Sequence, residues 1–360
     1  TATIAYIVDS EVVKANAEDG DWDNAWLKTN SAGSGAYELV NWKPNESYTL
    51  EANPDFWRGE PAMKRVVVRH IDESTTQRLL LERGDVDIAR NLSPEDIDAV
   101  SGMDGVAVDS DLRGRIMYFS MSQKNEVLAD PKVREALKYL ADYEGMANSF
   151  LKGQYTVHQS FLPLTYLGAL EEKPYSLDIE KGKALLEEAG YGDGFPLEII
   201  VRTAQERIAI AQSLQNTFGQ AGIDVSIQQG TGKQILGQYR SRDFDIYVGA
   251  WGPDYPDPHT NADTFAHNPD NSDEAQLTGK LAWRVAWDIP ELSKRTEAAV
   301  EESDVDVRRQ MYLDIQRDWQ QRAPFAPMFQ KIEQVARQDN VEGFVTGAAI
   351  TAAFYWTVTK

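Results

Sequence analysis

The 360-residue sequence contains no cysteine. That excludes disulfides, thiolate metal sites and a cysteine nucleophile. No run approaches the roughly 20 apolar residues that a membrane span needs. Positive charge is scarce, with 36 Lys and Arg against 57 Asp and Glu and a formal net charge of −21. A surface this acidic repels nucleic acid and anionic lipid, which removes both from the expected main partners. There are only four histidines (His70, His158, His259 and His267), and they form no spaced ligand motif of the zinc kind. The Gly-rich turn Ser31–Gly35 has no Gly-Lys-Ser/Thr after it and is not a phosphate loop. Neither a Gly-x-Ser-x-Gly elbow nor a His-Glu-x-x-His helix is present. The opening residues, TATIAYIVDSEVV, lack the basic and apolar regions of a signal peptide. They read as a strand with a helix start at Ser10, and so abrupt a start is expected of a truncated chain.

The composition that is present, 42% hydrophobic and 26% charged, suits a soluble globular protein of two or three domains. The informative stretch is Phe244–His259, FDIYVGAWGPDYPDPH. Phe244, Ile246 and Val248 share one face of a strand, and Tyr247 keeps the other face apolar. Gly252, Pro253, Pro256 and Pro258 then forbid further pairing and predict an irregular, exposed loop. That loop carries Trp251, Asp254, Tyr255, Asp257 and His259. A rigid strand that delivers an aromatic platform and carboxylates to one point is a common way to build a small-molecule site.

The chain before this stretch alternates. Leu197–Val201 reads as a strand, Ile208 to Phe218 as a helix, Ile223–Ile227 as a strand and Lys233–Arg240 as a helix. Alternation of this kind implies right-handed crossovers and a parallel sheet, with ligands bound outside the carboxyl ends of its strands. Trp251–Tyr255 and Arg202 fall at such ends. Earlier, Ala36–Asn41 and Tyr48–Glu51 read as a hairpin, Val66–Ile71 as a strand, Ser74–Arg83 as a helix and Arg115–Ser122 as extended. Asp130-Pro131 is an N-cap followed by a proline at the first helical position. Helices are expected over Asp178–Ala189, Glu291–Ser303 and Val305–Ala323. Pro324–Pro327 is expected to break the chain before an extended Met328–Ala336, and Tyr355–Val358 to close it as a short strand.

The order of GSGAYELVNW, TLEANPDFWRGEP, VVVRHIDESTTQRLLLERGDVDIA, ADPKVREALKYLADYEGM, KGKALLEEAGYGDGFPLEI and FDIYVGAWGPDYPDP resembles the extracellular solute-binding proteins of the peptide and nickel class of ABC importers. The resemblance runs from about Gly33 to about Gly343. It implies an α/β, two-lobed fold of the periplasmic-binding-protein type II kind, with one lobe incomplete. Residues 1–115 would be the later part of lobe one, 116–326 lobe two, and 327–360 the return crossing and end of lobe one. The family's opening segment, which would carry the signal peptide and one wall of the cleft, is expected to be missing.

The implied activity is non-catalytic. A peptide-like or cationic solute is captured between lobes that close on it, then delivered to an ABC permease in the inner membrane. The expected protein is a periplasmic or lipid-anchored monomer without a cofactor. In peptide-binding members the Asp of a Trp-x-x-Asp-Tyr loop pairs with the ligand's ammonium, which resemblance places at Asp254, with Trp251 and Tyr255 beside it. Tyr118 and Ser120, on the expected first crossing, and Gln159, in a loop that faces the cleft in relatives, are further candidates. Oligopeptide binders can carry an Arg where this chain has Val248, so a ligand carboxylate would need another partner, Arg202 or Arg207. Three other readings stand beside the leading one. A sugar or nickel complex could be bound on the same fold. Asp254 and Asp257 could act as paired hydrolytic carboxylates. Asp254, Asp257 and His259 could hold a metal.

Overall fold

The computed structural model describes residues 7–22, 24–346 and 353–360. The expected opening strand lies mostly outside them. By contact density the chain forms two compact units, Thr1–Asp111 with Glu333–Lys360, and Leu112–Ile332.

The first unit starts with α1 (Ser10–Asn16), whose cap Asp9 accepts from the amides of Glu11 and Val12, and a single helical turn α2 (Asn24–Leu27). An antiparallel sheet follows, β1 (Tyr37–Lys43), β2 (Ser47–Ala52) and β3 (Arg65–Arg69), in that order. No residue of these three strands is buried. The core of the unit sits elsewhere. Between α3 (Ser74–Glu82), β4 (Ile88–Arg90) and α4 (Pro94–Val100), Leu81, Ala89, Leu92, Ile97 and Val100 pack with Ala336. Asp96 ties this part together, accepting from Ser74, from Arg78 Nε at 2.8 Å and from the cap residue Ser93. The strand β5 (Val106–Met121) then runs on into the second unit.

The second unit is a sheet covered on both faces. Its helices and strands are α5 (Glu126–Ala129), α6 (Pro131–Tyr139), α7 (Tyr143–Asn148), β6 (Tyr155–Val157), α8 (Ile179–Glu188), β7 (Pro196–Arg202), α9 (Gln205–Gln220), β8 (Asp224–Gly230), α10 (Gly232–Arg240), β9 (Ile246–Trp251), α11 (Pro258–Phe265), α12 (Leu281–Arg284), α13 (Pro290–Glu301), α14 (Val305–Arg322) and β10 (Phe325–Gln338). In this unit the strand order is β10-β5-β9-β7-β8, with β6 beside β10. β7 pairs in parallel with both β8 and β9, as the alternation of strands and helices implies. β5 joins the other side of β9 antiparallel, Ile116 opposite Trp251 and Met121 opposite Ile246.

Side-chain alternation splits the unit into two cores. Met117, Phe119, Met121, Ile199, Val201, Ile246 and Val248 face α6, α8 and α9. Tyr118, Ile200 and Tyr247 face α10, α11, α13 and α14. On the second face the contacts are largely aromatic. Tyr118 meets Phe265 and Phe325 edge-on, with centroids 5.4 and 5.9 Å apart. Tyr247 stacks on Tyr239 at 4.0 Å.

Two expectations are corrected. β10 runs straight through Pro327, which lies before Phe329, the first residue paired with β6. β11 (Val345–Thr346) pairs with β12 (Ala353–Phe354). Tyr355–Val358 is a turn rather than a strand, closed by the Val358 amide on the Tyr355 carbonyl at 3.1 Å.

Candidate functional site

β7 and β9 end side by side, because Val201 pairs with Val248. Arg202 and Trp251 are the last residues of their strands, so both fall at the carboxyl edge of the sheet. Trp251 packs against the aromatic core, and its indole N–H is buried without a hydrogen-bond acceptor. The next two residues, Gly252 and Pro253, are buried. Pro253 seats on Gly114, where a Cβ would come within 2.6 Å of Pro253 Cγ, so the close approach requires glycine.

Asp254, Tyr255 and Pro256 then emerge into solvent. The Asp254 amide donates to Thr260 Oγ1 at 3.3 Å. Its carboxylate forms no ion pair among the described residues. Tyr255 is 37% exposed.

Asp257 turns the chain back. It caps α11 by accepting from the His259 amide at 2.8 Å, and Pro258 takes the first helical position. The expected irregular loop therefore ends at Asp257, and His259 lies in a helix. Arg308 of α14 donates to both Asp257 oxygens, at 3.0 and 2.8 Å. Burial alone would raise the Asp257 carboxyl, but Arg308 and the His259 amide hold it below the usual carboxylate range. An ionised carboxylate occupied by a cap and a bidentate guanidinium is poorly placed to shuttle protons, which weighs against Asp254 and Asp257 as a hydrolytic pair. Burial lowers the His259 imidazole below its ordinary range. Among the described residues no three His, Cys, Asp or Glu side chains are grouped to hold a metal ion.

The remaining candidates lie elsewhere. Tyr118 is 1% exposed and sits in the aromatic core. Ser120 is wholly buried, and its Oγ donates to the Tyr239 hydroxyl at 3.4 Å. Gln159 closes a two-way bridge with the Tyr175 backbone, donating to its carbonyl at 2.7 Å and accepting from its amide at 3.0 Å. These three are interior residues, and only Tyr118 shares the aromatic core on which Trp251 packs. The Arg202 guanidinium lies over the start of α10, where a Cβ on Gly232 would come within 2.6 Å of Nη2. Sequence reasoning missed Arg308. Its target was readable, because Asp257-Pro258 repeats the cap signal of Asp130-Pro131.

A hollow of about 860 Å³ in the first unit is lined by Tyr48, Val66, Val68, His70, Asp87 and Tyr355 among others. Part of its lining comes from β2 and β3, and polar or charged side chains such as His70, Asp87 and Arg90 stand around it.

A profile of the bacterial extracellular solute-binding proteins, family 5 middle region, matches residues 1–273, and the chain belongs to that family. Over 360 residues it is 28% identical to the "Probable D,D-dipeptide-binding periplasmic protein" of Escherichia coli (strain K12), covering 97% of this chain and 66% of that one. It is 24% identical to the "Di/tripeptide-binding protein 2" of Pseudomonas aeruginosa (strain UCBPP-PA14), covering 88% of this chain and 59% of that one. The chain thus spans less than two thirds of the length of these curated relatives. Among solved structures, the ABC transporter-associated periplasmic binding protein DppA from Helicobacter pylori, in complex with the peptide STSA, superposes with a TM-score of 0.84 at 22% identity. That likeness covers 98% of this chain and 67% of that one. It establishes the fold as the α/β, type II periplasmic-binding-protein kind.

Proposed function

We propose that the protein is a non-catalytic, substrate-binding component of an ABC importer. In this reading it works in the periplasm or at the outer face of the cell, takes a peptide-like solute and hands it to an inner-membrane permease. The observation that carries the reading is Asp254, an exposed carboxylate without an ion pair among the described residues, on a loop pinned at both ends by Gly114–Pro253 and Asp257–Arg308. A fixed carboxylate at the carboxyl edge of parallel strands suits a ligand ammonium. The Trp251 indole beside it offers an apolar platform and a buried N–H that still lacks an acceptor. Membership of the solute-binding family and the names of the peptide-binding relatives support a peptide over other cations.

Thermal unfolding against pooled peptides, amines, sugars and nickel, with Asp254→Asn in parallel, tests this. A ligand at ~100 times its dissociation constant stabilises by roughly 2.7 kcal/mol. A shift with peptides that Asp254→Asn abolishes supports the proposal. A shift with sugars or nickel alone, indifferent to Asp254, rejects it.

A further inference from the structure

Residues 159–170 run without regular structure between β6 and α8, yet much of the segment is buried. Buried backbone needs partners, and four amide side chains supply them. An amide can both donate and accept, which suits it to this task. Asn261 of α11 donates to the Phe161 carbonyl at 2.5 Å. Gln316 of α14 donates to the Gly168 carbonyl and accepts from the Leu170 amide. Gln320 of the same helix donates to the Gln159 carbonyl at 2.8 Å. The fourth is Gln330, whose Oε1 accepts from the Leu164 amide at 2.8 Å.

Gln330 differs from the other three. They stand on helices, whereas Gln330 lies on β10, two residues before the second unit ends at Ile332. Its Nε2 donates to the carbonyl of Arg113 at 2.9 Å, and Arg113 lies on β5, one residue after that unit begins at Leu112. β5 and β10 are the two strands by which the chain passes between the units. Gln330 is wholly buried. Its partners fix the orientation of the amide, since a backbone N–H requires the oxygen and a backbone carbonyl the nitrogen. One side chain therefore ties both crossing strands to the 159–170 segment.

The segment in turn meets the loop of Asp254 on either side. Gly114, next to Arg113, lies against two prolines: a Cβ there would stand 2.6 Å from Pro253 Cγ and 3.6 Å from Pro163 Cγ. Tyr166 donates its hydroxyl to the Tyr255 carbonyl at 3.5 Å, a long contact. Burial pushes the Tyr166 phenol up to about 12, so the hydroxyl keeps its proton at neutral pH. Pro253 and Tyr255 are the chain neighbours of Asp254.

We propose that Gln330 is a positioning residue for solute capture, fixing Asp254 to the crossing strands through the Pro163–Tyr166 turn. This rests on the peptide reading above, in which Asp254 takes an ammonium, and adds how that carboxylate is kept in register with the strands that join the units. Gln330 touches no solute in this scheme. A shift of β5 against β10 moves the Arg113 carbonyl and the Leu164 amide together, and the flanks of Asp254 follow. A charge-assisted pair is sensitive to such a shift, because its strength depends on the placement of both groups. A Gln330 that only satisfied two backbone groups would affect stability and leave the recognition of an ammonium alone.

Titration calorimetry with dialanine and N-acetyl-dialanine, which lacks the ammonium, separates the two roles. Wild type should prefer dialanine at least about tenfold. Gln330→Met keeps the length of the side chain and loses both bonds. It should weaken dialanine about fivefold, roughly the effect of one hydrogen bond, and leave the acetylated compound within about twofold. Tyr166→Phe, a small change at a half-buried site, should weaken dialanine alone by about threefold without lowering the melting temperature. The double variant should lose little more than Gln330→Met, because both act through one turn. A preference unchanged in both single variants overturns the proposal and leaves the peptide reading standing. Equal weakening of both compounds by Gln330→Met makes Gln330 structural and overturns it as well. If Gln330→Met does not fold, Tyr166→Phe decides, and a preference equal to that of wild type overturns the proposal. Wild type that binds both compounds equally, or neither, overturns the peptide reading and the proposal with it.

Discussion

Arg308 grips Asp257 through both carboxylate oxygens, with Nη1 on Oδ2 at 3.0 Å and Nη2 on Oδ1 at 2.8 Å. Its Nε is anchored on the Ala299 carbonyl at 3.0 Å. Three donors of one planar group therefore connect α14, the end of α13 and the cap of α11. Such bidentate pairing fixes geometry as well as adding energy. The Trp251–Asp257 loop hangs from this point, and Asp254 inherits its position.

Arg308→Gln should destabilise the protein by about 1–3 kcal/mol, a range that allows for partial exposure of the pair. On the proposed peptide reading it should also weaken binding at Asp254, mainly through faster dissociation, because Arg308 holds the loop through Asp257. Arg308→Lys, which keeps the charge and loses the fork, should recover less than half of the affinity. Stopped-flow dissociation together with chemical unfolding reads both effects. A loss of stability without any change in dissociation would detach the grip from the loop.

Gly114→Ala acts on the other end of the same loop. The added methyl would sit 2.6 Å from Pro253 Cγ and 2.8 Å from Cδ, so Pro253 must move. Overpacking of this sort costs about 1–3 kcal/mol. The expected outcome is a lower melting temperature and weaker peptide binding, with Pro253→Ala restoring the first more than the second. A Gly114→Ala protein that binds like wild type would show that the loop tolerates displacement.

The alternation β7-α9-β8-α10-β9 was legible because each element carries its own period and its own stops, from Leu197 to Trp251. The direction of the sheet followed, and with it the edge where Trp251 and Asp254 stand. The fate of Tyr118, Ser120 and Gln159 was not legible. A strand covered by helices on both faces shows apolar residues in both registers, and a polar residue among them looks like a cleft residue when it is an interior one bonded to Tyr239 or Tyr175. The short helix α11 was hidden by prolines. Pro256 and Pro258 read as breakers, whereas Pro258 after Asp257 is a helix start. Arg308 sits on an amphipathic helix, where one more arginine carries no signal, and its meaning lies in the carboxylate of Asp257 that faces it.

Lys138 is 2% exposed, and burial, with Arg134 nearby, lowers its ammonium to about 7. Nζ donates to the Gln320 carbonyl at 2.9 Å and lies 5.3 Å from the Tyr175 ring centre. In the unfolded chain the same group titrates near ~10.4. Between pH 7 and that value the unfolded state binds the extra proton, so stability should rise with pH. Lys138→Met should flatten the rise over pH 7–9 and leave the protein at least as stable at pH 7. Melting curves of both proteins across that window decide it, and an unchanged slope in the variant would assign the pH dependence elsewhere.

His158 gives the matching effect on the acid side. It is 1% exposed, its Nε2 lies 2.6 Å from the Leu162 carbonyl, and burial lowers its imidazole to about 4. The hydrogen bond requires Nε2 to carry the proton of the neutral ring. The unfolded chain takes up a second proton near ~6.5. From there down to about 4 the unfolded state is favoured progressively, and below that the contribution levels off. The loss expected from this one group is on the order of 3 kcal/mol, since each pH unit of separation is about 1.4 kcal/mol. His158→Gln keeps a donor for Leu162 and removes the titration. It should be less stable than wild type at pH 7.5, yet lose less between pH 6.5 and 4.5. Chemical unfolding at those three pH values measures the difference directly. If wild type and His158→Gln lose stability in parallel, the imidazole is not the group that the acid attacks.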